Sequence, residues 1–177
     1  MPKIVQKENP VLRKTAERVL VRDITTPHIQ KIIRDMSAAL ATQDDGVAIA
    51  APQIGVSLRI FVVAGKIFAP EWKRGEATPV DGQYPDVAFI NPEIIKLSRT
   101  KKWLHEGCLS VRPLWGDVFR STHATLMYYD ATGKKIKRGA SGLLAHIFQH
   151  ETDHLNGVLF IDKAKDIREG PPEELND

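Results

Sequence analysis

The feature that most constrains the fold is the segment from Ser141 to Leu155, which carries two histidines four residues apart. Ser141 is typical of the residue that precedes a helix, and Asn156-Gly157 is typical of a left-handed helix end. The segment therefore predicts a helix. On it His150 and His154 share one face, about 6 Å apart along the axis, so both imidazoles can bind one metal ion. The alternative is a helix that carries two histidines and several acids without a site.

Glu151 directly follows the first of these histidines, in the sequence His-Glu-Thr-Asp-His. A carboxylate in this place can act as general base toward a water on the ion. His146 lies four residues before His150 and offers a second pair. Since His146 and His154 are separated by roughly 12 Å of helix, all three cannot bind one ion. Only the pair His150 and His154 has a glutamate after its first member, so we expect His146 to be a pocket wall or a surface residue.

Two histidines leave an ion under-coordinated, so a third protein ligand must come from elsewhere in the chain. The metalloprotease spacing would place a third histidine at position 160, where the chain has Phe160. Glu173 and Glu174 lie in a segment broken by Gly170-Pro-Pro, which is a poor place for a rigid ligand. Neither protease arrangement fits this sequence.

Cys108 is the remaining candidate for the third ligand, although a single cysteine is more often a small buried hydrophobic residue. Gly107 before it would let a backbone or a substrate approach closely. Glu106 and Ser110 are polar groups that could orient a site. A cysteine with two histidines leaves a fourth position open for water, as in catalytic zinc sites. From the residues alone, the expected ion is zinc.

A third segment, Gly46 to Gln53, is unusually rich in small residues and ends in Pro-Gln. Small residues permit the close approach of an extended ligand. The amide of Gln53 could donate to an oxyanion. The same pattern is also typical of a turn that leads into the next strand.

The rest of the chain predicts one further helix and several strands. Thr26, as a hydroxyl cap, and Pro27 predict a helix start, and an apolar residue recurs at helical spacing as far as Leu40. Strands are predicted at Leu58 to Ala64 and at Val87 to Ile90, the second closed by Asn91-Pro92. A long surface excursion from Gly65 to Pro85 connects them. A hairpin is predicted from Ala124 through the turn at Gly133. Strands first and a helix last predict an α+β domain.

Size and composition fit one ordinary globular domain. The chain has 177 residues and a formal charge of +3, which implies neither nucleic acid nor membrane binding. A single cysteine excludes an internal disulfide. The start lacks an apolar run typical of a signal peptide, and no segment has the roughly 20 apolar residues that span a bilayer. We expect a cytoplasmic protein, or an organellar one if a transit peptide was removed.

Taken together and in this order, four blocks resemble peptide deformylases: the Asn9-Pro-Val-Leu opening, Gly46 to Gln53, Glu106 to Ser110, and Gln149 to Gly157. The resemblance implies removal of the formyl group from the N-terminal formyl-methionine of newly made polypeptides, with release of formate. It implies antiparallel β-sheets packed around a central C-terminal helix that bears the HExxH motif. We expect residues 1–163 to form the single catalytic domain and residues 164–177 to be a polar tail.

The resemblance also implies roles for particular residues. Cys108, His150 and His154 would bind one divalent metal ion per chain, and Glu151 would be the catalytic acid and base. Gln53 and the backbone N–H of Leu109 would stabilise the oxyanion. Fe²⁺ is the ion expected from the resemblance, with Zn²⁺, Ni²⁺ or Co²⁺ as substitutes. The residues expected to contact the substrate are Gly46, Val47, Ala48, Gly107, Leu143, His146 and Ile147.

Four positions depart from the pattern of the family. Ala48 stands where a second glycine is usual, and Arg112 replaces the common proline after the cysteine block. Trp115 lies near the place of a substrate-contacting arginine, and His146 puts a polar group where an apolar one is frequent. These changes affect substrate fit and leave the metal ligands intact.

Two other functions compete with deformylation. A zincin-type endopeptidase would need a third histidine or glutamate ligand. A deformylase-like binding protein would bind formylated N-termini without turnover, which the departures at Ala48, Arg112 and Trp115 motivate. For a deformylase, the expected partners are formyl-methionyl nascent peptides and, transiently, the ribosome, without direct nucleic acid or membrane binding. The expected oligomeric state is a monomer or a weak dimer.

Overall fold

The computed structural model describes residues 2–70 and 84–170 and contains two α-helices and two antiparallel sheets within them. The helices are α1 (Pro27–Ala41) and α2 (Gly142–Leu155). The five-stranded sheet has the order β1 (Ala48–Ala50), β2 (Ile60–Val63), β3 (Val87–Leu97), β6 (His123–Tyr129) and β7 (Lys135–Ser141). The three-stranded sheet has the order β4 (Lys101–Gly107), β5 (Leu114–Ser121) and β8 (Lys165–Glu169). This is the expected α+β fold.

Helices cover both faces of strand β2, and its four residues are buried for that reason. Successive side chains of a strand point to opposite faces. Ile60 and Val62 accordingly belong to the hydrophobic cluster that contains the buried face of α1. Phe61 and Val63 belong to the cluster that contains α2. The unbroken apolar run from Leu58 to Ala64 is thus explained by burial on both sides.

An aromatic cluster fixes α2 on the five-stranded sheet. The ring of Phe148 lies 5.3 Å from that of Phe89, which stacks on Phe61 at 4.7 Å between centroids. All three side chains are fully buried. Because Phe148 and His150 are two residues apart, they lie on different faces of the helix. Packing of Phe148 against the sheet therefore turns the histidines toward β4 and β5.

The predicted ends of the helices are confirmed, whereas the predicted side-chain caps are wrong. Thr26 precedes α1, but its hydroxyl donates to the carbonyl of Asp23 at 2.6 Å and makes no capping bond to the helix. Ser141 precedes α2 and likewise makes no side-chain cap. The left-handed stop after α2 is present, since Gly157 has φ of 74°.

Strand β3 does not end at Asn91-Pro92 as the sequence predicts. Asn91 adopts a φ of 50°, and the pairing with β6 shifts register between Ile90 and Glu93. The strand then continues to Leu97. The Asn91 side chain binds both the N–H and the carbonyl of Val19, at 2.9 and 2.7 Å. This distant contact stabilises a β-bulge where the local sequence indicates a stop.

The sheet formed by β4, β5 and β8 is missing from the sequence prediction. Strand β8 lies within the segment 164–177 that we expected to be a polar tail, and it pairs with β5. All five of its residues are exposed, so it lacks the apolar alternation that predicts a strand. The first part of the predicted surface excursion forms a short 3₁₀ turn at Gly65–Phe68, and residues 71–83 lie outside the described residues. Neither described helix is long and apolar enough to span a bilayer.

Candidate active site

Helix α2 and the turn after β4 bring Cys108, His150 and His154 together. Their possible ligand atoms all lie within 4.8 Å of one another. The Sγ of Cys108 is 3.2 Å from Nε2 of His154, and the two imidazole rings are 4.9 Å apart. The N–H of Ser110 donates to the same sulfur at 3.4 Å, so the turn holds the thiol toward the helix.

These three side chains fit a divalent transition metal. Donors on a tetrahedral ion with metal–nitrogen and metal–sulfur bonds of about 2.0–2.3 Å lie roughly 3.5 Å apart, which the observed separations approach. A thiolate with two imidazoles is also a donor set that such ions prefer. Nδ1 of His150 is already bound to Glu106, which leaves its Nε2 for an ion.

Glu106 orients the histidines of α2 and is itself almost completely buried. Its Oε1 lies 2.5 Å from Nδ1 of His150, and its Oε2 lies 2.8 Å from Nε2 of His146. Arg120 donates to both oxygens. Burial by itself raises the pKa of Glu106, but the interactions with His150, His146 and Arg120 outweigh burial and lower it far below its usual range. Glu106 is therefore a carboxylate that accepts four hydrogen bonds.

Glu151 lies beside the ligands in a different electrostatic environment. It is 3 % exposed, and its Oε2 has no hydrogen-bond partner among the described residues. Burial raises the pKa of Glu151 to about 7. A carboxyl group that titrates near neutral pH can both accept and return a proton, as general acid–base catalysis requires.

Gln53 points its amide nitrogen at the site. Its Oε1 accepts from the N–H of Ala50 at 2.8 Å, which fixes the amide orientation. Its Nε2 then donates to Oγ of Ser110 at 3.1 Å and lies 3.5 Å from Sγ of Cys108. The neighbouring N–H of Leu109 has no acceptor within the described part of the chain. The Gln53 amide and the Leu109 N–H are thus two donors near the cysteine, and the second has no partner among the described residues.

A single pocket joins these groups to the predicted substrate-contacting residues. The lining residues that the sequence predicts are Gly46, Val47, Ala48, Gln53, Gly107, Cys108, Leu109, Leu143, His146, Ile147, His150 and Glu151. His154 is not part of the lining, and it is buried at 1 % exposure. The pocket therefore brings together twelve of the thirteen predicted site residues, and Glu106 completes the wall.

Three further residues line the pocket at positions where the sequence alone assigns no contact. Asp45 and Arg112 form an ion pair of 2.6 Å, and both side chains are partly exposed. The ring of Trp115 covers Gly107 so closely that a Cβ there would lie 2.9 Å from the indole. This contact explains why position 107 requires glycine. Arg112 and Trp115, two of the departures named above, are thus part of the pocket itself.

Sequence reasoning missed the charged network behind the ligands. Arg120 on β5 binds Glu106 and also donates to Asp153 at 2.7 Å. Lys163 binds the same Asp153 at 2.9 Å. The only signal in the sequence is the placement of Asp153 inside the helix motif, one residue before a ligand.

A buried Cys-His-His cluster, a neighbouring carboxyl group with a raised pKa, and a pocket lined by the N–H donors of Gln53 and Leu109 define a hydrolase built around a metal site. Comparison with known proteins gives the family. The chain belongs to the polypeptide deformylase family, whose model matches residues 1–169.

Individual relatives agree with this assignment. A peptide deformylase from Desulforudis audaxviator is 38% identical over 164 residues, which covers 93% of this chain and 94% of that protein. The crystal structure of a peptide deformylase from Thermotoga maritima superposes with a TM-score of 0.77 at 34% identity and covers 93% of this chain and 98% of its own. A Met-Ala-Ser-bound peptide deformylase from Acinetobacter baumannii gives a TM-score of 0.77 at 30% identity and covers 90% of this chain and 96% of its own.

Proposed function

We propose that this protein hydrolyses the N-terminal formyl group of formyl-methionyl peptides and releases formate and a free amine. The observation that carries the proposal is the unpartnered, buried carboxyl oxygen of Glu151 beside the cluster of Cys108, His150 and His154. A carboxyl oxygen without a partner among the described residues is available to a reacting molecule in the pocket. Membership of the deformylase family supports the choice of a formyl amide as substrate.

Cys108, His150 and His154 would hold one divalent ion. When bound, such an ion supplies a Lewis acid that lowers the pKa of water and polarises a carbonyl oxygen. In the proposed reaction the oxygen of the attacking water bonds to the formyl carbon while Glu151 accepts a proton from that water. Glu151 then delivers that proton to the leaving nitrogen as the carbon–nitrogen bond breaks.

Gln53 and Leu109 are proposed to stabilise the negative charge that develops on the formyl oxygen. The bond from Ala50 fixes the Gln53 amide before substrate arrives, so no reorganisation is needed during the reaction. The spare N–H of Leu109 lies next to Cys108 in the chain and would be the second donor.

The substrate backbone is proposed to lie along β1. That strand is an edge of the five-stranded sheet, since it is hydrogen-bonded to β2 alone. An extended peptide can add to such an edge through its own backbone groups. Val47 and Gly107 both line the pocket that the peptide would enter, as do Gly46 and Ala48. The methionine side chain would then contact Leu143, His146 and Ile147 at the start of α2.

Fe²⁺ is the ion that we propose for the protein in the cell, with Zn²⁺, Ni²⁺ and Co²⁺ as substitutes. The reason is that the sequence blocks that carry the ligands resemble those of peptide deformylases, for which Fe²⁺ is expected. A thiolate ligand suits all four ions. Protein prepared without oxygen should contain iron in a 1:1 ratio by elemental analysis, and exposure to air should lower both its iron content and its activity.

We further propose that the protein acts in the compartment where formylated chains are made, either the cytoplasm or an organelle. Its partners there would be nascent peptides, with transient contact to the ribosome. Cosedimentation with ribosomes at low and moderate salt tests that contact. Sedimentation of the protein alone distinguishes the monomer from a weak dimer.

The direct test of the function is formate release from formyl-Met-Ala-Ser by anaerobically prepared protein loaded with Fe²⁺, Co²⁺ or Ni²⁺. The proposal predicts turnover with at least one of these ions. Glu151→Ala should keep the ion and lose activity, whereas Cys108→Ser should lose the ion. Tight binding of the peptide without formate would instead indicate a binding protein, and cleavage of internal bonds in unformylated peptides would indicate an endopeptidase.

A further inference from the structure

We infer that His146 is a positioning residue that fixes the orientation of His150 through Glu106. The inference rests on the proposed function, because it concerns the same site. It goes beyond the role of a pocket wall that the sequence suggests for His146.

The three side chains form one continuous hydrogen-bonded path. Nε2 of His146 lies 2.8 Å from Oε2 of Glu106, and Oε1 of Glu106 lies 2.5 Å from Nδ1 of His150. Glu106 is 2 % exposed, and the two imidazoles are about nine-tenths buried. Water therefore cannot replace a lost partner easily, and the path depends on its members.

Arg120 donates to both oxygens of Glu106, so the two histidines lie against an acceptor. A carboxylate only accepts hydrogen bonds, so His146 must donate from Nε2 and His150 must donate from Nδ1. The tautomer of His150 that results has its lone pair on Nε2, which is the atom left for an ion.

Arg120 shows why one partner of Glu106 is not enough. Its Nη2 donates to Oε1 at 2.7 Å and its Nε donates to Oε2 at 3.1 Å. Each carboxylate oxygen thus accepts one bond from Arg120 and one from a histidine. Without His146, Oε2 would keep only the longer bond to Arg120. The carboxylate could then rotate, and the bond that orients His150 would lose its fixed direction.

His146 also lines the pocket that would take the first side chain of the substrate. It lies one helical turn before His150. A side chain in the pocket would therefore touch a residue that is only two hydrogen bonds away from a metal ligand. The simpler role, in which His146 only satisfies a buried carboxylate, predicts an effect on stability and none on the metal.

The test compares His146→Gln with His146→Asn in the metal-loaded protein. The Nε2 of glutamine is as many bonds from the backbone as the Nε2 of histidine and can reach Glu106, whereas the amide of asparagine is one bond shorter. Both variants place an amide in the same pocket wall. His146→Ile is the third variant, which keeps an apolar wall and removes the donor. His28→Gln is the control, since His28 is an exposed residue of α1.

Three readouts separate positioning from packing. The first is the melting temperature. The second is the retention of Co²⁺ in the presence of a chelator, followed by the visible spectrum of the bound ion. The third is kcat and KM for formyl-Met-Ala-Ser. We expect His146→Asn and His146→Ile to bind Co²⁺ about tenfold more weakly and to lower kcat about tenfold. KM should stay within about threefold, and His146→Gln and His28→Gln should resemble the parent.

Equal behaviour of the Gln and Asn variants in Co²⁺ retention and kcat would overturn the inference. So would a change confined to the melting temperature or to KM. If the Asn variant does not fold, the comparison of Gln with Ile decides by the same readouts. Absence of formate release by the parent protein would refute the proposed function, while Co²⁺ retention would still test the role of His146.

Discussion

Arg120 binds both carboxylate oxygens of Glu106 in the interior of the protein, where their side chains are 4 % and 2 % exposed. The same guanidinium donates to Asp153, so one cation joins β5 to β4 and to α2. A buried charge must be paired and hydrogen-bonded to be tolerated. Arg120 therefore adds to the direct bonds of His146 and His150 with Glu106 in holding α2 against β4, which leads into the turn that carries Cys108.

Arg120→Met is expected to destabilise the protein strongly, because it leaves two carboxylates without their buried cation. Removal of one member of a buried ion pair typically costs about 3–5 kcal/mol. Urea unfolding of the metal-free protein measures this cost, and Arg99→Met, at an exposed position, is the matched control with an expected change below about 0.5 kcal/mol. A loss below about 1 kcal/mol for Arg120→Met would show that water or rearrangement compensates for the missing guanidinium.

The raised pKa of Glu151 predicts a stability that falls as the pH rises. Burial raises this pKa from 4.5 to about 7 in the folded protein, so folding favours the protonated carboxyl group. Its contribution to stability is complete below about pH 4.5 and is lost as the pH increases through 7. Glu151→Gln, which is always neutral, should therefore melt several degrees above the parent at pH 8 and close to it at pH 5.

This comparison is made on metal-free protein by thermal melting at both pH values. Each 1 kcal/mol corresponds to roughly 2–4 °C for a chain of this size. Glu8→Gln, at an exposed position, controls for the general effect of removing a negative charge. A difference between Glu151→Gln and the parent that is equal at pH 5 and pH 8 would contradict the raised pKa.

Gln53→Ala is expected to lower kcat by about 10²–10³ with little change in KM, because an oxyanion donor acts mainly in the transition state. Ser110→Ala is the matched control. It removes the partner of the same Nε2 and leaves the donor in place, so its loss should stay below tenfold. The measurement is steady-state formate release at equal metal content. A rise in KM with unchanged kcat would assign Gln53 to substrate binding instead.

The helices and their ends could be predicted because local signals decide them. The spacing of apolar residues predicted α1, Ser141 and Asn156-Gly157 predicted the ends of α2, and the hairpin of β6 and β7 follows from its turn. Strand β8 could not be predicted, since its residues are exposed and charged and only pairing with β5 makes it a strand. The continuation of β3 depends on the bond between Asn91 and Val19, which are 72 residues apart.

The candidate site likewise has a part that local sequence predicts and a part that only contacts between distant residues create. Helix geometry predicts that His150 and His154 converge, the residues leave Cys108 as the candidate third ligand, and the resemblance implies the same ligand. The contact of Arg120 with Glu106 and Asp153 joins residues distant in sequence, and neither periodicity nor spacing indicates it. His146 is the sharpest case. Its position one turn before His150 predicts only proximity, whereas its bond to Glu106 becomes visible once β4 is placed against α2.

Gly157 and Gly133 offer a matched test of how the end of α2 is built. Both have positive φ, at 74° and 84°, so alanine is strained at either position. At Gly133 a Cβ meets nothing within 4 Å, but at Gly157 it would lie 2.6 Å from the carbonyl oxygen of Arg13. Gly133→Ala should cost about 1–2 kcal/mol, and Gly157→Ala should cost more because the backbone of Arg13 has to move. Urea unfolding gives the change in the free energy of unfolding for both variants. Equal changes would show that the backbone at Arg13 moves without a measurable energetic cost.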